Sequence, residues 1–224
     1  MPGPASAGNI QVIPARTALI VVVLILVGCG SPSPGGYHTV KTTFFWVGEP
    51  PAPDNHFIPN TPSVWQNNWS QYYGGLDDPN HRSGYRPAAF VPKENPFYFA
   101  LPYSDYADGK LKRNVTKVPW YNKAQPPSPG TSIIKNRWIA VTLNGRTVYG
   151  QWEDAGPLGE DDVDYVFGSA APRYHNSGLD LSPAMATFLQ LPGEGTTTWH
   201  FVDEAAVPAG PWKEIVTTSQ IDWR

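Results

Sequence analysis

Proline and glycine interrupt this chain so often that few stretches can form a helix of ordinary length. The 224 residues include 25 prolines and 21 glycines, which both destabilise the interiors of helices and central strands. The chain also contains 9 tryptophans and 11 tyrosines, residues that favour strands and bring large apolar surfaces. We therefore predict a mainly β protein with short strands and long ordered loops rather than a helical bundle.

The first 28 residues have the layout of a signal peptide. They contain no acidic residue and one basic residue, Arg16, and an apolar run covers 18–27. That run is shorter than the roughly 20 apolar residues that span a bilayer. The sequence Leu26-Val-Gly-Cys29 resembles the lipobox of bacterial lipoproteins, which implies cleavage before Cys29 and lipidation of this residue. The alternative is an ordinary secretory signal with a chance cysteine.

Cys29 is also the only cysteine of the chain, so no internal disulfide can form. We expect an exported protein whose lipidated Cys29, carrying acyl chains such as palmitate, anchors it to a bacterial membrane. Either the outer membrane or the outer face of the plasma membrane fits this expectation. Residues 29–39 are predicted to form a flexible spacer, and residues 40–224 a single domain with inserted loops at about 49–95 and 105–130.

Charge and motif content exclude several classes of function. The net charge is −3 and the basic residues do not cluster, so we expect no nucleic-acid partner. The histidines lack metal-ligand spacing, and no Gly-x-Ser-x-Gly motif or phosphate-binding glycine loop is present. We therefore expect neither a metal nor another cofactor, and a monomer. The acidic run at 160–162 lacks the spacing of a calcium loop and is predicted to be solvated.

The clearest local signal is Asn144-Gly145 between two segments, 138–143 and 147–152, that are rich in β-branched and aromatic residues. This pair favours the positive φ angles of a type I′ hairpin turn. Further strands are predicted at 40–47, 97–101 and 196–202.

One short helix is predicted over 184–191. Ser182 is a favourable N-cap, Pro183 suits the first helical turn, and Pro192-Gly193 ends the pattern. Several short strands with a single helix before the last of them predict a small closed barrel.

Two carboxylates stand where the chain leaves a predicted strand. Asp154 lies in Glu153-Asp-Ala-Gly-Pro157, and Asp180 lies in Gly178-Leu-Asp-Leu-Ser-Pro183. Each also has a structural interpretation: Asp154 can accept hydrogen bonds from its own turn, and Asp180 can cap the start of the following helix and interact with its dipole.

The motifs Asn144-Gly-Arg-Thr-Val148, Asp154-Ala-Gly-Pro157 and Leu179-Asp-Leu-Ser-Pro-Ala184 follow one another in an order that resembles the core of double-psi β-barrels of the rare lipoprotein A type. Expansins and family-45 endoglucanases share this fold. The resemblance implies a six-stranded double-psi β-barrel that acts on polysaccharide, with peptidoglycan the substrate of rare lipoprotein A and cellulose and related wall glycans those of the others. It does not extend over the two long loops.

The resemblance also implies roles for individual residues. Asp180 matches the general acid of the endoglucanases, and Asp154 matches an aspartate that lines the same groove. Asp164, in the acidic segment 161–168, loosely resembles a segment of membrane-bound lytic transglycosylase A and is a second candidate acid. Tyr98 occupies the position of a histidine in rare lipoprotein A. Glu49 is the carboxylate nearest to the position of a base on the first strand.

Aromatic residues in and near the first long loop are candidates for a platform that stacks on sugar rings. The alternative is that they pin the loop onto the barrel. The candidate glycan-binding residues are Trp65, Trp69, Tyr72, Tyr73, Tyr98 and Trp152.

These observations predict a lipoprotein that cleaves glycosidic bonds in a cell-wall polysaccharide, as a lytic transglycosylase or a glycoside hydrolase. Because the spacer is short, the wall of the cell itself, and hence peptidoglycan, is the favoured substrate. A non-catalytic, expansin-like glycan-binding or wall-loosening module and a purely structural lipoprotein are the alternatives.

Overall fold

The structure, a computed structural model, describes Met1, Gly3 and residues 36–174 and 176–224. The lipidation predicted for Cys29, nearly all of the predicted signal peptide and residues 29–35 of the predicted spacer therefore lie outside the described residues. Within these residues, no helix has the length and apolar character needed to cross a bilayer.

The described chain contains ten strands and three α-helices. The strands are β1 (His38–Phe44), β2 (Arg82–Ser83), β3 (Arg86–Pro87), β4 (Tyr98–Leu101), β5 (Tyr106–Ala107), β6 (Lys110–Leu111), β7 (Trp138–Leu143), β8 (Arg146–Ala155), β9 (Ser177–Leu181) and β10 (Gly195–Val202). The helices are α1 (Trp69–Tyr73), α2 (Val163–Val166) and α3 (Pro183–Leu189). Short 3₁₀ turns span Pro53–Asn55, Arg113–Lys117, Glu204–Ala206 and Pro211–Lys213.

Six of the strands close into a barrel in the order β1-β10-β7-β8-β4-β9. The pairs β1–β9 and β4–β8 are parallel, and the other four pairs are antiparallel. The predicted mainly β fold with a closed six-stranded barrel is thus confirmed. The predicted long loops are partly ordered by short elements, since 49–95 contains α1 and the β2–β3 pair, and 105–130 contains the β5–β6 hairpin.

The predicted hairpin joins β7 to β8. Asn144 has a φ angle of 49° and Gly145 one of 78°, as a type I′ turn requires. The paired register runs from Leu143 opposite Arg146 to Trp138 opposite Gln151. β8 continues beyond this register, and it is this extension that pairs with β4 and carries Asp154.

The predicted short helix is α3, shifted by one or two residues to Pro183–Leu189. Its N-cap is Ser182, whose hydroxyl oxygen accepts a hydrogen bond from the backbone N–H of Met185 at 3.3 Å. The helix ends at Gln190, which adopts a left-handed conformation with a φ angle of 58°. The cap therefore fixes where the chain turns after β9, next to the strand end that carries Asp180.

The barrel core consists largely of aromatic side chains. Trp138, Trp152 and Trp199 are almost fully buried, and the Trp199 ring stacks on the ring of His38 with centroids 4.4 Å apart. Phe201 packs edge-on against Trp199 with ring centroids 5.2 Å apart. Rings of this size fill the interior of a small barrel, so the strands that enclose them hold their end residues in fixed positions.

Candidate active site

A cavity of about 450 Å³ lies where β1, β4, β8 and β9 meet. Its walls are formed by residues of these strands, by the chain just after β8, and by the segment between residues 49 and 60. Glu49, Asp154 and Asp180 all line this cavity, which we call the groove.

The strand register explains why Asp154 and Asp180 lie in the same groove. Ala100 on β4 is paired with Asp154 on β8 at one side and with Asp180 on β9 at the other. Neighbouring strands are about 4.8 Å apart, so the Cα atoms of the two aspartates are separated by roughly 10 Å across the small Ala100. Gly156 leaves space beside Asp180, since a Cβ atom at this glycine would lie 3.4 Å from Oδ2 of the aspartate.

Asp180 is partly exposed to the groove and is held by β1. Thr43, its register partner on β1, donates a hydrogen bond from its hydroxyl to Oδ1 of Asp180. Burial raises the pKa of Asp180 to about 6, and the Thr43 hydrogen bond opposes that rise. Ser182, and not Asp180, caps the following helix, and the hydrogen-bond partner of Asp180 is Thr43. The structure therefore does not support the interpretation of Asp180 as a helix cap.

Asp154 is more deeply buried and is held by backbone groups. Its Oδ1 accepts hydrogen bonds from the N–H groups of Val64 and Ala155, both at 2.8 Å. Burial raises the pKa of Asp154 to about 7; the two N–H donors lower it, and the negative charge of Asp180 raises it further. Asp154 therefore supports its own turn, as the structural interpretation expects, and also lines the groove.

Glu49 is the third carboxyl of the groove. From the sequence alone, Glu49 was identified only as the carboxylate nearest to the first strand. Its Oε2 accepts a hydrogen bond from Nδ2 of Asn60 at 2.6 Å. Burial raises the pKa of Glu49 to about 7, partly offset by the Asn60 hydrogen bond, and the charge of Asp180 adds to the rise. Because Glu49 reaches the groove only when the segment 49–60 folds back, no local sequence signal could identify it.

None of the three acids of the groove forms an ion pair with a described cation. Among the described residues, no ion pair involves Glu49, Asp154 or Asp180, although Lys41 and Glu194 pair with each other at the rim at 2.7 Å. With pKa values between about 6 and about 7, protonated and ionised carboxyls coexist in the groove near neutral pH. Such a set can both donate and accept protons.

The structure places Asp164, the second candidate acid, outside the groove. It lies on the exposed side of α2, where its Oδ1 is 2.7 Å from Nζ of Lys117. Asp164 does not line the cavity, because α2 turns its buried face to the barrel and leaves this side chain in solvent. The predicted role of Asp164 as a catalytic acid therefore does not fit its position.

The predicted aromatic platform also does not fit the structure, because a ring must have an open face to stack on a sugar. Five of its six members are buried with no exposed surface: Trp65, Trp69, Tyr73, Tyr98 and Trp152. The sixth, Tyr72, is partly exposed and donates a hydrogen bond to Asp222. The loop residues instead pin the loop onto the barrel, as the alternative interpretation expects: the ring of Trp69, for example, packs against the ring of Tyr98 on β4 with centroids 5.3 Å apart. Because the neighbouring residues in the sequence are polar, local composition does not indicate that these rings are buried.

The described residues contain no group of three or more His, Cys, Asp or Glu side chains arranged to hold a metal ion.

Comparison with known proteins adds little to this picture. No family model matches the chain, and no curated protein matches it. Among solved structures, a Streptomyces papain inhibitor (SPI) is similar with a TM-score of 0.33 and 16% sequence identity, over 77% of this chain and 100% of the inhibitor. A likeness this low carries no argument about function.

Proposed function

We propose that this protein is a double-psi β-barrel of the rare lipoprotein A, expansin and family-45 endoglucanase type that cleaves glycosidic bonds in a cell-wall polysaccharide. Peptidoglycan is the proposed substrate, and Asp180 is the proposed general acid. The observation that carries this proposal is that Asp154 and Asp180 line one groove from the two strands that flank Ala100. The closed barrel with two parallel strand pairs supports the fold assignment.

The proposed chemistry needs one carboxyl that is protonated and another that is ionised. With a pKa of about 6, Asp180 is protonated in roughly a tenth of the molecules at pH 7 and in about half of them at pH 6. It donates its proton to the glycosidic oxygen as the bond to the anomeric carbon breaks. Positive charge then develops on the sugar ring, and an ionised Asp154 across Ala100 stabilises it electrostatically. Water, or a hydroxyl of the same sugar, forms the new bond to the anomeric carbon, and the proton that it releases returns to Asp180.

The proposed location follows from the N-terminal sequence. A lipid on Cys29 and a short spacer would hold the barrel within a few nanometres of the membrane, the reach of about a dozen flexible residues. A polymer of the cell's own envelope lies within that distance. This favours peptidoglycan over a wall polysaccharide of another organism.

The test is incubation of the detergent-solubilised chain with purified peptidoglycan or with soluble β-glucan, followed by mass spectrometry of released fragments. We expect fragments from peptidoglycan, and at least about 100-fold slower release by the Asp180→Asn variant, because loss of a general acid typically costs that much. Asp164→Asn is the matched control, since its carboxyl is on the surface, and it should cleave at the wild-type rate.

One result would contradict cleavage, and another would contradict the role of Asp180. Intact polymer that sediments with the protein without released fragments would favour the expansin-like binding module. Equal rates for wild type and Asp180→Asn would remove Asp180 from the chemistry.

A further inference from the structure

A second cavity, of about 390 Å³, lies between the β5–β6 hairpin and the C-terminal end of the chain. Tyr106 of the hairpin and Trp223 line it, together with Val64 and Glu160. We call this cavity the side pocket. The hairpin belongs to the inserted loop at 105–130, to which the resemblance of the sequence to double-psi β-barrels does not extend. That resemblance therefore does not account for the side pocket.

The turn of the β5–β6 hairpin leaves one side of the Trp223 ring uncovered. Asp108 and Gly109 have φ angles of 50° and 70°, as a tight two-residue turn of this kind requires. The nearest atom to a Cβ added at Gly109 would be Cζ3 of the Trp223 ring, at 4.0 Å, so a side chain at this position would reach the indole. Because glycine has no side chain, a ligand can approach the ring from the hairpin.

Trp223 is held in one orientation at the wall of the side pocket. Its indole N–H donates to the carbonyl of Val64 at 3.0 Å, and the Tyr106 ring lies at 63° to the indole with centroids 5.5 Å apart. Trp223 nevertheless remains partly exposed, in contrast to the fully buried tryptophans of the predicted platform. A fixed indole that is partly open to solvent provides a surface on which a sugar ring can stack.

Two exposed carboxylates, Asp108 and Glu160, line the side pocket beside these rings. Among the described residues, neither of them takes part in an ion pair. Ionised carboxylates accept hydrogen bonds, and sugar hydroxyls donate them. An aromatic ring beside two such acceptors therefore suits a sugar, which has apolar ring faces and hydroxyl groups around its edge.

The side pocket lies close to the groove, because Val64 connects the two. The N–H of Val64 donates to Oδ1 of Asp154 at 2.8 Å, and its carbonyl accepts from Trp223 at 3.0 Å. One residue spans at most about 3.6 Å, so Oδ1 of Asp154 and the indole nitrogen of Trp223 are no more than about 10 Å apart. The charge of Glu160 also contributes to the raised pKa of Asp154, which agrees with this proximity. A short stretch of one polysaccharide chain can therefore reach both places.

We propose that the side pocket is a second sugar-binding site, in which one sugar of the polymer stacks on Trp223 and donates hydrogen bonds to Asp108 and Glu160. The choice of ligand rests on the proposed function. The side pocket adds affinity for the polymer and takes no part in bond cleavage. Glycan strands long enough to reach both the groove and Trp223 should therefore bind more tightly than fragments that reach only one of them.

The first test measures binding of the full chain, in detergent, to glycan strands prepared from purified peptidoglycan by removal of its peptides. We expect long strands to bind at least about 5-fold more tightly than the disaccharide, and Trp223→Ala to abolish that difference, because an aromatic contact contributes about this much. Trp223→Phe should keep most of the difference, since a phenyl ring can stack although it cannot donate to Val64. A Trp223→Phe variant as weak as Trp223→Ala would show that Trp223 only supports Val64, and would overturn the inference.

The second test fills the side pocket without changing Trp223. Ala107, an exposed residue of β5, lines the pocket, so Ala107→Gln places a larger side chain there. We expect this variant to lose the same preference for long strands. Ala124→Gln, the same substitution at an exposed alanine outside the pocket, is the matched control and should bind as wild type does. Unchanged binding by Ala107→Gln would overturn the inference.

These binding measurements are independent of the fragment release that tests the proposed function. Binding that depends on Trp223, without any release of fragments, would contradict cleavage and support the side pocket. Fragment release together with equal affinity for short and long strands would support cleavage and overturn the side pocket. A dependence on Trp223 that appears only with strands that still carry peptides would also overturn the inference, because the ligand would then be the peptide.

Discussion

At the scale of single residues, the buried carboxyls of the groove link the stability of the protein to pH. A carboxyl with a raised pKa binds its proton more tightly in the folded protein than in the unfolded chain. Its contribution to stability is therefore fully present below the unfolded pKa of roughly 4 and is lost as pH rises through the folded pKa. For Asp154 that folded pKa is about 7. Ionisation of the groove carboxyls thus lowers the free energy of unfolding, and the packing of the rest of the barrel compensates for this loss.

Replacing Asp154 by Asn should remove much of this pH dependence. The amide oxygen can still accept the hydrogen bonds from Val64 and Ala155, and no charge remains to be buried. We expect Asp154→Asn to be more stable than wild type at pH 8, by roughly 1 to 4 kcal/mol, and nearly equal to it at pH 4. Urea unfolding at several pH values measures this difference. A difference that is the same at every pH would contradict the electrostatic explanation.

A second buried acid of β8, Glu153, directly precedes Asp154 in the sequence. Glu153 pairs with Lys135, and both side chains are almost completely buried. We expect Lys135→Met to lose about 3 to 5 kcal/mol in the free energy of unfolding near pH 8, because Glu153 is left without its cation. The double variant Lys135→Met/Glu153→Leu should recover most of that loss. Denaturant unfolding of the three proteins tests this, and a double variant less stable than Lys135→Met would refute it.

At the scale of elements, the turn between β7 and β8 sets the register of the strand that carries Asp154. Each residue of β8 up to Gln151 is paired through this hairpin, and the last part of β8 then pairs with β4. A slip of one residue would turn Asp154 away from the groove, because successive side chains of a strand point to opposite faces. The turn therefore determines, through the strand register, whether Asp154 faces the groove.

Substitution of Gly145 should weaken this turn. Its φ angle of 78° is unfavourable for a residue with a Cβ atom, so we expect Gly145→Ala to lower the free energy of unfolding by about 1 to 2 kcal/mol. Nothing would clash with the added Cβ, so the loss reports the backbone angle alone. Asn144→Gly, at the neighbouring left-handed position, should change stability much less. Equal losses in both variants would contradict this account.

The elements with local signals were predictable from the sequence. Asn144-Gly145 specified the hairpin, and Ser182-Pro183 specified the start of α3. β-Branched and aromatic residues marked five of the six barrel strands, all except β9. These signals act between residues close in sequence, through backbone angles and caps. They determine most of the barrel, including the strand ends on which Asp154 and Asp180 lie.

The rest of the groove depends on contacts between residues distant in sequence, which a single sequence does not show. Glu49 joins the groove through the segment that pairs with Asn60. Trp65 and Trp69 had two interpretations from the sequence, an exposed platform or anchors that pin the loop. The structure supports the second, because buried carboxylates accept hydrogen bonds from their indole N–H groups. A polar sequence context therefore does not predict exposure where the core itself contains hydrogen-bond acceptors for the aromatic N–H groups.

At the scale of the whole molecule, the last residues secure a segment that reaches the groove. The N–H of Asp222 donates to the carbonyl of Trp65 at 2.8 Å, and the N–H of Asn67 donates to the carbonyl of Asp222 at 3.1 Å. The indole N–H of Trp223 donates to the carbonyl of Val64 at 3.0 Å. Since the N–H of Val64 binds Asp154, the far end of the sequence stabilises the position of this carboxyl.

Removing residues 221–224 should loosen this segment selectively. We expect faster hydrogen exchange at the amides of Val64 and Asn67 and unchanged exchange in β7 and β10. The N–H of Asn67 loses its acceptor, the carbonyl of Asp222, and the carbonyl of Val64 loses the indole N–H of Trp223. Arg86→Gln, which breaks an exposed ion pair with Glu214, is the control and should leave exchange at both amides unchanged. Hydrogen exchange measured by mass spectrometry tests this. Uniform acceleration across the barrel would show global destabilisation instead.

The closure of the barrel also has a consequence in time. β1 pairs with β9 and β10, and no other strand of the barrel touches its edges. β1 is the first of the six strands along the chain and its two partners are the last, so the barrel closes only when its two ends meet. Because distant pairings form slowly, we expect completion of the barrel to be a late event in folding. Thr43 on β1 and Asp180 on β9 meet only at this closure, so we expect the groove to be assembled late as well.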